Sequence, residues 1–172
     1  PGWSLNVLKQ SSLGRSHRHK DCKNKLKEVI QLSKSILNIP NDYLVGIVPG
    51  SDTGAIEIAM WNLLGPKPVT MLVWDSFGLD WANDIELQLK LKDLDIINVD
   101  YGKLPSLHSL DLSRDIVFNW NGTTAGVCVP NADWIKNSSD GLIICDATSA
   151  AFAMDIDWSK LDVGTFSWQK SL

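Results

Sequence analysis

Six short β-rich runs separated by helical patterns constrain this chain more than any other feature. The runs are 43–48, 70–74, 95–99, 116–120, 142–145 and 163–168. Several are near-continuously apolar, such as Leu142-Ile143-Ile144-Cys145. A strand with one wet face alternates apolar and polar residues, whereas an unbroken apolar strand is covered on both faces, as in a parallel sheet. The segments between them read as helices. Residues 23–37 put Leu26, Val29, Ile30, Ser33, Ile36 and Leu37 at helical spacing, with Asn38 and Pro40 as stop signals. Residues 53–64 run into Gly65-Pro66, a helix exit. In 81–91, Ile85, Leu87, Leu89 and Leu91 alternate as in a strand, but Glu86, Gln88 and Lys90 are helix formers, and a helix is expected. A short helix is expected over 131–136 and a loop over 105–113. Strands that alternate with helices imply βαβ units in a layered α/β domain, where ligands bind beyond the carboxyl ends of the strands.

The 172 residues suffice for one domain with a sizeable core. With 44% hydrophobic and 21% charged residues, disorder is excluded as the main state. A formal net charge of −4 argues against nucleic acid as a partner. No run approaches the roughly 20 apolar residues of a membrane span, and the start lacks the basic-then-apolar order of a signal peptide, so no membrane partner and a cytoplasmic location are expected. Cys22, Cys128 and Cys145 fit neither a disulfide framework nor a zinc site; reduced thiols and no metal are expected. A first residue Pro1 and a last residue Leu172 just past a strand and turn suggest a fragment of a longer protein.

The residues just after each strand carry the chemistry. Pro49-Gly50-Ser51-Asp52-Thr53-Gly54 opens a helix with small residues, presenting bare amides and the positive helix end to an anion such as phosphate. It matches neither common glycine-rich nucleotide pattern, and a plain turn with an Asp or Thr cap also explains it. Asp146 ends a buried run, where a carboxylate either caps the next turn or faces the crevice, and Lys170 follows Phe166-Ser167-Trp168-Gln169 at another expected strand end. Pyridoxal 5'-phosphate needs an amine, a carboxylate for its pyridine nitrogen, a phosphate cradle and a flat partner for its ring. This chain offers all four, the last among its eight tryptophans, with Trp81 near a strand end.

The order SHR, PGSDTGA, NGTTAG, CDATSA and TFSWQK resembles the phosphoserine aminotransferases, class V members of the fold type I pyridoxal-phosphate enzymes, across essentially all 172 residues. Its most specific element is Asp146 with Gln169-Lys170, since related cysteine desulfurases tend to carry His before the lysine. The resemblance implies a three-layer α/β/α fold with a mostly parallel sheet. It makes 1–172 an incomplete cofactor-binding large domain, with the C-terminal small domain absent from this chain. It makes Lys170 the Schiff-base lysine, Asp146 the partner of the pyridine nitrogen, Trp81 the ring-stacking residue and Thr123 the hydroxyl beside the cofactor's 3′ oxygen. Thr148 and Gln169 become phosphate-side contacts, with amides around Asp52 and Thr53. His17 and Arg18 become substrate-binding residues, Arg18 holding an anionic group. Many members carry an arginine in the phosphate loop, whereas Ser51-Asp52-Thr53 has none.

The implied reaction moves the amino group of glutamate to 3-phosphohydroxypyruvate, giving O-phosphoserine and 2-oxoglutarate in serine biosynthesis, in a homodimer. Two rival readings are another class V aminotransferase, using alanine or serine with glyoxylate, and a non-catalytic α/β binding module in which Asp146 caps a turn and Lys170 is solvated.

Overall fold

The computed structural model describes residues 4–136 and 139–170. Two compact units meet in sequence between Ile47 and Val48.

In the first unit a 3-10 helix, Leu5–Gln10, precedes α1, Lys20–Ile36. The helix starts three residues before the expected 23, because His19 caps it by accepting from the Asp21 backbone N–H at 3.3 Å. It stops where expected: Asn38 follows in the left-handed conformation, φ 54°. The Lys34 ammonium then ties down the exit by donating to the carbonyls of Asn41 and Tyr43 at 3.1 and 2.6 Å. The expected strand at 43–48 is not formed. Its residues favour strands, but a strand exists only through a ladder, and no described segment pairs with this one; Leu44 is fully exposed.

The second unit is built on a five-stranded, wholly parallel sheet of β1 (Val69–Val73), β2 (Leu94–Asn98), β3 (Asp115–Asn119), β4 (Ile143–Asp146) and β5 (Val163–Thr165), in the order β2-β1-β3-β4-β5. Every residue of β1, β3 and β4 is buried, so the apolar runs are covered on both faces. On one face Val69, Met71, Val73, Val117 and Ile144 pack against Ile56 and Met60 of α2 (Ser51–Leu63) and Trp81 and Ala82 of α3 (Ser76–Asn83). On the other, Phe118 gathers Trp74, Trp120 and Trp134, with ring centroids 5.4 to 6.4 Å apart. A parallel sheet with flanking helices is the expected α/β architecture. At the amino edge, Arg114 pins β1 to the start of β2 by donating to Thr70 Oγ1, the Val69 carbonyl and Asp93.

Three local expectations change. The helix expected over 81–91 begins at Ser76 as α3, because the Asp75 carboxylate accepts from the Gly78 N–H at 2.9 Å and caps it; π-helical turns, Asp84–Leu89, continue it to Lys90 in a left-handed conformation. No helix forms over 131–136, where Asn131 Oδ1 accepts from Asp133 N–H and folds the chain into turns. β5 stops at Thr165 and not at 168, because Phe166 leaves the ladder to pack edge-on against Phe152, Trp158 and Trp168. Loop 105–113 holds only a 3-10 turn, Leu107–Ser109.

β1 has β2 on one side and β3 on the other, so the chain reverses its direction of travel across the sheet there. A crevice opens at the carboxyl ends of strands at such a reversal.

Candidate functional site

The floor of the crevice follows from strand register. Asn119 pairs with Asp146 and Asp146 with Thr165, so the last residues of β3, β4 and β5 stand level. Asp146 is only 7% exposed, yet its carboxylate is well held. Oδ2 accepts from Trp81 Nε1 at 3.1 Å and Asn119 Nδ2 at 3.3 Å, and Oδ1 accepts from the Thr148 N–H at 2.9 Å. All three donors are neutral, and none of the three ion pairs found among the described residues involves Asp146. A buried carboxylate with donors but no counter-charge attracts a cation. Asp52, 6% exposed on the first turn of α2, shares this wall and accepts from Thr165 Oγ1 at 3.4 Å. Burial first, and then the charge of Asp146, push its carboxyl up to about 7.

One end wall is the start of α2. Gly50 and Ser51 enter it in left-handed conformations, φ 91° and 61°, and no side chain caps the helix. Gly54 is required by packing: a Cβ there would lie 2.6 Å from the Pro49 carbonyl oxygen. The first-turn N–H groups of α2 therefore stand at the crevice with the helix dipole behind them, a place for an anion.

At the mouth, the Lys170 ammonium donates to Ser149 Oγ at 3.0 Å and lies 5.3 Å from the centroid of the Phe77 ring. Ser149 Oγ also hydrogen-bonds Thr123 Oγ1, so an amine and two hydroxyls form one polar chain. The cavity, open at this mouth, is about 200 Å³. Three buried polar atoms at its lining residues have no hydrogen-bond partner: Asp52 Oδ1, Asn119 Oδ1 and Thr148 Oγ1. Such orphans are costly unless a ligand or water completes them.

Asp52, Thr53, Trp81, Thr123, Asp146, Thr148, Gln169 and Lys170 all line this one cavity. His17 and Arg18 do not: they lie in the first unit, in the exposed turn before α1, where Arg18 N–H is held by Ser16 Oγ at 3.1 Å. Lys170 is not at a strand end; the shorter β5 leaves it on a turn five residues beyond Thr165. Phe77, Asn121 and Ser149, which follow expected strands but carry no role in the sequence reading, also line the cavity, and Asn119 is the lining residue that reading missed. Asn119 had a signal, a polar residue interrupting the apolar run at 116–120. Sequence gives Asp52 a backbone amide for the anion or a cap for the turn, and nothing local tells that its carboxyl is buried.

Over all 172 residues the chain is 57% identical to the phosphoserine aminotransferase of Methanosarcina mazei and 56% to that of Methanosarcina barkeri. The chain is phosphoserine aminotransferase-like along its whole length. It spans 46% of each of these relatives, about half their length. A phosphoserine aminotransferase crystal structure from Cytophaga hutchinsonii superposes with a TM-score of 0.80 at 25% identity, covering 92% of this chain and 45% of that one. An aspartate aminotransferase from Thermus thermophilus, 19% identical, shares the fold, with a TM-score of 0.78 over 96% of this chain and 49% of its own. No family model matches the chain. The phosphoserine aminotransferase resemblance read from the motifs thus extends to overall sequence and to fold.

Proposed function

We propose that this chain is most of the cofactor-binding large domain of a pyridoxal-phosphate-dependent aminotransferase that moves the amino group of glutamate to 3-phosphohydroxypyruvate. The observation that carries the reading is Asp146, a buried carboxylate held by three neutral donors, on the same 200 Å³ cavity as the Lys170 amine and the uncapped start of α2. The fit to the cofactor is specific. Asp146 would receive the cationic ring nitrogen as its missing counter-charge, the bare amides of α2 would hold the phosphate, and the orphaned Thr148 Oγ1 would donate to a phosphate oxygen. When bound, pyridoxal phosphate withdraws electrons from the substrate's Cα and so makes its proton acidic.

The residues do the rest. Asp146 would hold a proton on the ring nitrogen by a charge-assisted hydrogen bond shielded from water. Trp81 and Asn119 fix the orientation of that carboxylate by donating to Oδ2. Lys170 would anchor the cofactor and carry the proton to and from Cα, and Ser149 and Thr123 hold its amine at the mouth. Trp81 supplies the flat face for the ring, Thr123 a hydroxyl for the 3′ oxygen, and Gln169 and Thr148 contacts on the phosphate side. His17 and Arg18 bind the substrate, Arg18 gripping an anionic group with paired donors. Support for these last roles comes from the motif resemblance. The same resemblance supports a homodimer in the cytoplasm, and the doubled length of the relatives supports a small domain outside this chain.

The test uses the complete polypeptide. With glutamate alone its cofactor spectrum should shift to the amine form, and 3-phosphohydroxypyruvate should restore it faster than glyoxylate does. A preference for glyoxylate would assign it to another class V activity, and no spectral response to glutamate would leave a binding module.

A further inference from the structure

Two carboxyls share the buried wall of the cavity, and the reading above uses only one of them. Asp52 enters from the first turn of α2, and its Oδ2 is held by Thr165 Oγ1, the register partner of Asp146; its Oδ1 is buried without a partner. The charged and titratable groups around it are few. From β4 come Asp146 and Cys145, whose thiol is pushed well up by burial and then by Asp146 and Asp52; from the turn after β5 comes Lys170, whose amine is engaged by Ser149 and Phe77. β5 itself contributes the neutral Thr165. Two adjacent carboxylates in a poorly hydrated wall are expensive, and burial with the field of Asp146 already favours the protonated form of Asp52 up to about pH 7. An ionised Asp52 would also place a negative charge on the very turn whose amides receive a phosphate.

We infer that Asp52 is a positioning residue that works as a neutral acid, keeping the floor at the single negative charge of Asp146 so that an anionic phosphate can rest on the start of α2. The inference rests on the pyridoxal-phosphate reading. It also accounts for an acidic residue in a phosphate loop that lacks arginine. Raising the pH removes the Asp52 proton to solvent, and the phosphate then meets a second buried anion.

The experiment measures the Kd of pyridoxamine 5′-phosphate for the complete cofactor-free protein between pH 7 and 9, above the second ionisation of the phosphate at about 6. For the wild type the Kd should rise, by up to about tenfold per pH unit once Asp52 ionises. Asp52→Asn, neutral throughout, should flatten the profile. Unphosphorylated pyridoxamine should show no such rise with the wild type, a comparison that does not depend on the variant folding. Parallel profiles for wild type and Asp52→Asn, or equal slopes for the two ligands, would overturn the inference. No binding of pyridoxamine 5′-phosphate at any pH would instead overturn the cofactor reading, a separate result.

Discussion

Asp52 also predicts how the cofactor-free protein responds to pH. Its carboxyl titrates at about 7 in the folded state against 3.8 as the ordinary value. The folded state therefore binds this proton more tightly than the unfolded chain does. Below pH 3.8 both states are protonated and Asp52 costs nothing. Between 3.8 and about 7 the unfolded chain ionises freely while the folded one resists, and each pH unit costs about 1.4 kcal/mol. Above about 7 the cost is complete, about 4 kcal/mol as an upper estimate, a large part of a typical domain stability of about 5–15 kcal/mol. Asp52→Asn removes the charge and keeps the shape, so its advantage over wild type should grow from near zero at pH 4 to several kcal/mol at pH 8. Urea unfolding of both proteins, cofactor-free, at several pH values measures that difference, and groups common to both cancel. A difference that stays flat from pH 4.5 to 8, or a variant that becomes the less stable partner as pH rises, would refute the reasoning.

Four further outcomes are expected. Asp146→Asn should keep some cofactor but transaminate poorly, because a neutral amide cannot hold the ring proton comparably; wild-type turnover would remove Asp146 from that role. Lys170→Ala should abolish transamination, and borohydride treatment of the wild type should leave the pyridoxyl label on the peptide bearing Lys170, with a label on Lys103 or Lys160 counting against it. Arg18→Lys should raise KM and leave the cofactor spectrum unchanged, since a lysine offers no planar pair of donors; lost cofactor occupancy with normal KM would place Arg18 elsewhere. Gly54→Ala should weaken affinity for inorganic phosphate and for the cofactor, because its Cβ meets the Pro49 carbonyl oxygen at 2.6 Å and must open the start of α2; unchanged affinity for both would refute the anion role of that turn.

What could be read from sequence was local or periodic. The strands at 70–74, 116–120 and 142–145 came through within a residue because burial on both faces writes itself as an apolar run, and 95–99 came through as closely although β2 is only partly buried. Asp146 stood out because a carboxylate ending such a run has few places to go. The misses depend on contacts between distant residues. Whether 43–48 becomes a strand depends on a partner elsewhere in the chain. Where β5 stops depends on Phe166 finding Phe152, Trp158 and Trp168. The burial of Asp52 depends on β4 and β5 arriving beside α2, which no window of sequence around residue 52 contains. The start of α3 was a different failure: the Asp75 cap was in plain view but outweighed by the pattern of apolar residues further on.

Because Asn119, Asp146 and Thr165 are neighbours in one hydrogen-bonded ladder, their spacing is that of the lattice, with strands about 4.8 Å apart. Side chains can be exchanged at those three positions without altering the distances between their Cα atoms, so new chemistry can be tried on an unchanged template. The reverse holds for the backbone. A single inserted residue anywhere along β4 would turn the Asp146 position to the opposite, aromatic face and leave its neighbours where they were. The Cα positions of this floor are thus set by register whichever side chains they carry.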